Sequence, residues 1–281
     1  MYFRSYMMKQ IKLITLMIFT ALVANIGFAD GYPVPWQIDF QEAVTPLMHE
    51  MVAFHNMMLW IIFGISGFVL LLILVTCFKF KASRNPIPSK RTHNTLIEII
   101  WTGVPVIILL IIAIPSFKLL YNTDVDREMD MTLKVTGYQW YWGYEYPDEG
   151  DLSFLSYIIP DDQIKPGEFR LLEVDNRVVL PTNTNIRIII TGADVIHAFA
   201  VPAFGIKTDA IPGRLNETWV RIEKEGVYHG QCSEICGLGH GFMPIAVEAV
   251  SPEKYKAWVN TAKQKFAALD LSTTIQLAEN K

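Results

Sequence analysis

Cys232-Ser-Glu-Ile-Cys236-Gly-Leu-Gly-His240-Gly-Phe-Met243 is the stretch on which the fold of this chain turns. Two thiols, an imidazole and a thioether fall within one short loop. Thiolate and thioether are soft donors that suit copper, and imidazole suits both copper states. A single cysteine, two histidines and a weak axial methionine compose a blue-copper electron-transfer site. Cys236, His240 and Met243 have that close loop spacing, and His197 stands upstream, just after the strand-like residues 185–191. Cys232 is one thiolate more than such a site needs. Two thiolates four residues apart can face each other across a tight loop and bridge two copper ions, leaving one histidine for each. Met243 and a backbone carbonyl, that of Glu234, would then be the weaker axial donors. A core of this kind spreads one electron over two metals, so bond lengths change little on redox. Two other readings use the same residues: a plain disulfide in an oxidising compartment and a structural Cys2His2 zinc site. Zinc leaves Met243 without a role, and a disulfide leaves the histidines without one.

Outward from that loop, the residues after Tyr121 are rich in turn signals, among them Pro147-Asp148, Lys165-Pro166-Gly167 and Ile211-Pro212-Gly213. Between them lie β-prone pieces at 131–146, 185–191, 217–222 and 243–250. Short strands with regular turns predict a β-sandwich or barrel, over residues 122–265, with a polar tail at 266–281. From Tyr121 onward there are 23 Asp and Glu against 15 Lys and Arg. This acidic balance invites a basic partner, and the net charge of −4 argues against nucleic acid.

The N-terminal part has a different texture. Residues 57–78 and 99–117 carry no charge, and about 20 apolar residues span a bilayer. Between the runs lie Lys79, Lys81, Arg84, Lys90 and Arg91; before the first lie Asp30, Asp39, Glu42 and Glu50. Positive loops stay inside, so the connection is cytoplasmic and both ends of this 30–121 segment face outward. Arg4, Lys9 and Lys12, followed by an apolar stretch ending in small residues at Gly27 and Ala29, read as a signal peptide over 1–29 and demand the same orientation. Cys77, alone in an apolar run, reads as a packing group.

Further motifs join these: Tyr138-Gln-Trp-Tyr-Trp-Gly-Tyr-Glu-Tyr146, Leu172-Glu-Val-Asp-Asn-Arg-Val-Val-Leu-Pro181, Asp194-Val-Ile-His197 and Gly205-Ile-Lys-Thr-Asp-Ala-Ile-Pro-Gly-Arg214. With the hairpin and the cysteine loop, the chain resembles subunit II of cytochrome c oxidase, the copper-A subunit of the haem–copper oxidases, over nearly all of its length beyond the signal. The resemblance implies an α+β membrane protein: a two-helix transmembrane hairpin followed by an all-β cupredoxin-like Greek-key domain. It implies bridging by Cys232 and Cys236, terminal ligation by His197 and His240, and axial donors from Met243 and the Glu234 carbonyl. The Glu234 side chain would reach a magnesium ion shared with the catalytic haem–copper subunit. Electrons would arrive from cytochrome c at Trp140, with Glu145, Asp175 and Asp194 as docking acids, while Trp142 packs inside. Glu98 would lie near the mouth of a proton path. The expected location is a bacterial plasma membrane with the copper domain periplasmic; a mitochondrial inner membrane is the alternative.

Overall fold

The computed structural model describes residues 31–124, 128–150 and 152–266. The expected signal peptide and the residues of the tail beyond Phe266 lie outside these.

Among the described residues two long helices come first. Helix α1 (Pro46–Lys79) and helix α2 (Thr95–Thr123) contain both charge-free runs. Both run beyond the expected 57–78 and 99–117, because absence of charge marks only the part that must sit in hydrocarbon. Helix α1 opens with Thr45 as N-cap, its hydroxyl accepting from Met48 N at 3.0 Å, and with Pro at the first turn, where a missing N–H is harmless. Asn94 caps α2 by accepting from Leu96 N and Ile97 N. Leu70, Leu71 and Ile73 are each more than half exposed. A helix apolar on every face and unburied by its own chain is built for lipid or for a neighbouring helix.

The start of α1 and the close of α2 are fixed to the C-terminal half of the chain. Thr45 Oγ1 donates to the Phe204 carbonyl at 2.8 Å, Val44 N donates to Ala203 O, and Glu223 N donates to Val44 O. Asn122 Nδ2 donates to Glu50 Oε2 at 2.6 Å and joins the two helices, while Trp219 Nε1 donates to Asn122 O.

Among its described residues that half has ten strands: β1 (Met131–Tyr138), β2 (Tyr141–Tyr146), β3 (Leu152–Ser156), β4 (Val178–Pro181), β5 (Ile186–Gly192), β6 (His197–Val201), β7 (Ile206–Ala210), β8 (Asn216–Val220), β9 (Gly226–Cys232) and β10 (Pro244–Val250). They form two five-stranded sheets, ordered β3-β2-β1-β5-β8 and β4-β10-β9-β6-β7. The β1–β5 and β10–β4 pairs are parallel; the other ladders are antiparallel. Alternation drives the packing. In β5, Ile186, Ile188 and Ile190 are buried while Arg187, Ile189 and Thr191 face outward, as a strand with one face on a core requires. Leu133, Val135, Trp142, Tyr144, Phe199, Val201, Ile245 and Val247 complete the layer between the sheets.

The sheet domain also carries helix α3 (Pro252–Phe266), which the all-β expectation did not include. Its buried residues Tyr255, Val259, Ala262 and Phe266 recur at helical spacing. Pro252 stands at its start, so the signal was in the sequence. Phe266, expected to open the polar tail, instead stacks on Phe154 with centroids 4.8 Å apart.

Candidate metal centre

The donor residues come from two places. His197 opens β6 in the sheet, and Cys232 closes the neighbouring β9. The β6–β9 ladder pairs Phe199 with Cys232, and this brings His197 to the cysteine. The chain then leaves the sheet for the loop that carries Glu234, Cys236 and His240, and returns at Met243 into β10.

Around the two sulfurs the donors pair off. The Sγ atoms of Cys232 and Cys236 lie 3.9 Å apart, far beyond a disulfide bond; both are free thiols. Cys232 Sγ is 3.9 Å from His197 Nδ1 and 3.3 Å from the Glu234 carbonyl oxygen. Cys236 Sγ is 3.6 Å from His240 Nδ1 and 3.6 Å from Met243 Sδ. Each sulfur thus has one imidazole and one weak donor of its own. His197, Cys232 and Cys236 each bring a donor atom within 4.8 Å of the others, all three being buried.

The surroundings fix these side chains. His197 Nε2 lies 2.8 Å from Asp194 Oδ1. A proton on Nε2 directed at that carboxylate would leave the Nδ1 lone pair for a metal, the usual arrangement of a ligating histidine and a carboxylate behind it. Gly137 makes room for the ring: a Cβ there would come 2.9 Å from His197 Cδ2. Trp142, fully buried, donates from Nε1 to the Met243 carbonyl and meets His197 edge-on at 6.0 Å. Trp140 is half-buried rather than fully exposed. Its Nε1 and the Gln139 side-chain amide both donate to the Cys236 carbonyl, at 3.1 and 2.8 Å. The indole lies flat over the loop, and a Cβ on Gly239 would fall 2.4 Å from it.

Without metal, the two thiols ionise unequally. Burial pushes the Cys232 thiol up, but the His197 ring and the backbone of Ala198 and Glu234 outweigh it and hold the group below its ordinary value. Burial and the neighbouring Cys232 charge push Cys236 up. Burial pulls His197 down, yet Cys232 and Asp194 more than compensate, so its pKa rises.

The remaining candidates separate. The Glu234 side chain is exposed. Glu145 holds Lys134 through both carboxylate oxygens at 2.8 and 2.9 Å. Asp175 accepts from Tyr157 N at 2.8 Å, and burial raises its pKa. Asp194 accepts from Gln139 N at 2.7 Å as well as serving His197, a role that a reading of acids as surface charge had missed. Only its three-residue distance from His197 hinted at it. Glu98 Oε1 accepts from Asn94 N at 3.2 Å and closes the cap of α2, a residue apart from the metal candidates. His229, in β9, is buried as a strand residue.

Comparison with known proteins agrees with this architecture. Residues 131–250 match the family "Cytochrome C oxidase subunit II, periplasmic domain", and residues 33–119 match "Cytochrome C oxidase subunit II, transmembrane domain". The chain is 52% identical to the probable cytochrome c oxidase subunit 2 of Rickettsia bellii, over 94% of this chain and 96% of that one. It is also 52% identical to cytochrome c oxidase subunit 2 of Oenothera berteroana, over 80% and 90%. Among solved structures, the periplasmic domain of subunit II of the Bradyrhizobium japonicum cytochrome oxidase is 56% identical, covering 50% of this chain and 98% of that chain, with a TM-score of 0.47. Two apolar helices followed by a double sheet that gathers two cysteines, two histidines and a methionine are thus accounted for by common descent, and the chain belongs to the cytochrome c oxidase subunit II family.

Proposed function

We propose that this chain takes electrons from cytochrome c at a dinuclear copper centre and passes them to the haem-bearing catalytic subunit, which reduces oxygen. The pairing of donors around the two sulfurs carries this reading. His197 and the Glu234 carbonyl serve Cys232; His240 and Met243 serve Cys236. A four-ligand zinc site would leave the buried Met243 thioether idle, whereas soft sulfur donors select copper. Cys232 and Cys236 would hold the copper pair through their sulfurs, with His197, His240, Met243 and the Glu234 carbonyl as its further ligands. When bound, the copper pair supplies one reversible electron shared between two metals.

The chain's own residues do the rest. Asp194 orients His197, and Trp142 holds the Met243 backbone. Trp140 offers a partly exposed indole joined by a hydrogen bond to the Cys236 backbone, a short route of one hydrogen bond and a few covalent bonds from the surface to the Cys236 sulfur. The exposed apolar residues Ile235, Leu238 and Phe242 rim the same loop and give a cytochrome c a dry contact of the kind that anchors partners. Asp194, Glu145 and Asp175 add negative charge that steers a basic partner. The Glu234 side chain, outside the copper cluster, is the candidate magnesium ligand at the catalytic subunit. Lys and Arg in the loop between α1 and α2 support an inside position for that loop and a periplasmic position for the copper domain at a bacterial plasma membrane.

Low-temperature EPR on the copper-loaded chain tests the centre. A hyperfine pattern from two equivalent copper nuclei is expected; a pattern from one nucleus would replace the dinuclear site with a mononuclear one. Glu98→Gln tests the proton path, because a glutamine oxygen can still accept from Asn94 N. Unchanged turnover and proton uptake in the assembled oxidase would leave Glu98 as a helix cap alone.

A further inference from the structure

We infer that residues 34–40, just ahead of α1, form a foot that rests in the outer headgroup–acyl boundary of the membrane. The segment is a built turn. Gln37 N donates to Val34 O and Val34 N donates to Gln37 Oε1, both at 3.2 Å; Gln37 Nε2 donates to Phe40 O at 2.7 Å. One glutamine satisfies the turn from inside and leaves the apolar side chains outward. Trp36 is 97% exposed, Ile38 102% and Phe40 48%. Three large apolar groups displayed on so few residues are a patch, unlike scattered surface apolars.

The position of the patch points to its occupant. Phe40 packs edge-on against His55 of α1, with centroids 4.7 Å apart. The Glu50–Asn122 hydrogen bond sets α1 and α2 level with one another. Five residues further in on each helix lie His55 and Phe117. On α1 the last polar pair, His55-Asn56, gives way at Met57 to an apolar run, and the charge-free run of α2 ends at Phe117, with Lys118 just outside it. Two helices running in opposite directions therefore put the edge of the hydrocarbon at the level of His55, where the turn sits. Tryptophan is enriched at that boundary, its ring apolar and its N–H wet.

The backbone adds an independent sign. Trp36 has φ +64°, a left-handed conformation in which a bulky residue is an outlier and glycine would be at ease. The turn thus displays the indole at a conformational cost that a glycine would not bear.

Depth-resolved quenching of Trp36 fluorescence tests the foot. Wild type and Trp36→Phe are compared, as the full chain in bilayers and in the assembled oxidase, with lipids brominated at shallow or deep acyl carbons and with aqueous iodide. The difference between the two proteins isolates Trp36. We expect that share to be roughly twofold weaker in shallow-brominated lipid, less affected by deep bromines, and little affected by iodide, as for an interfacial tryptophan. Quenching by iodide alone would put the turn in water. A Trp36 reached by neither quencher in the oxidase would mean a neighbouring subunit covers it. Either result overturns the proposal.

Discussion

The sandwich and the hairpin are built from the same residue types and handle them in opposite ways. Ile186, Ile188 and Ile190 are almost wholly buried, while Ile62, Leu71 and Ile107 are half exposed or more. In the sandwich, the chain supplies its own apolar environment, and alternation along each strand decides which side chains use it. In the hairpin, the environment must come from outside, and no face is set apart. The contrast teaches where stability and geometry are stored. The sandwich holds donor atoms in place by itself; the hairpin contributes anchorage, and its outer end is tied to the sandwich by a few hydrogen bonds.

The largest expected effect lies at the centre of the sandwich side. Cys236→Ser removes the sulfur that His240 and Met243 share. Copper per chain should fall, the two-nucleus EPR pattern should vanish, and electron uptake from cytochrome c should drop to background. Retention of a two-nucleus signal would break the proposed ligand set.

Next comes the comparison of apolar groups itself. Ile188→Ala should destabilise the sheet domain by about 2–5 kcal/mol, the range for truncating a buried aliphatic. Leu71→Ala, in α1, should leave denaturant unfolding of that domain unchanged within about 0.5 kcal/mol. Equal effects from the two would dissolve the distinction.

A buried charge gives a pH test of the sandwich alone. Glu173 is 2% exposed. Burial raises its pKa, but His229, whose Nε2 lies 3.9 Å away, and the Arg177 guanidinium, which donates to both carboxylate oxygens at 2.6 and 2.9 Å, outweigh this and pull it down to about 2. The folded value lies below the unfolded one of about 4.3. Its contribution is therefore fully present above about pH 4.3 and is lost as pH falls toward 2, amounting to about 3 kcal/mol on the linkage relation. Unfolding free energies measured across that window should fall less steeply in Glu173→Gln than in the wild type.

The smallest effect sharpens the view that the metal residues are over-determined. Asp194→Asn keeps size but removes the carboxylate behind His197. Copper affinity by competition with a chelator should weaken by about 10–100-fold, with the dinuclear signal retained. Affinity equal to wild type would return Asp194 to the role of a surface acid.

Much of this was legible in sequence because the signals were local. The two charge-free runs, the alternation of residues 186–190, and the Cys232–Met243 loop each announce themselves within a few residues. Trp142 reads as interior because its aromatic run is a strand. What was not legible depended on the third dimension. Asp194 and Gln139 look like surface polar residues until the fold brings one behind His197 and the other onto the Cys236 carbonyl. Helix α3 carried a readable pattern of Tyr255, Val259, Ala262 and Phe266, but lay hidden among lysines and after ten strands' worth of β signal. The helix ends were misjudged because charge marks the bilayer, whereas capping by Thr45 and Asn94 marks the helix.

Five of the six proposed donors lie on one short length of chain, and the sixth, His197, arrives only when β6 pairs with β9. A chain still unfolded can offer copper the loop but not the whole site. If copper binds as proposed, complete ligation would require that β6 and β9 have already paired within their sheet, so a copper-loaded subunit would be one that has already passed its folding inspection.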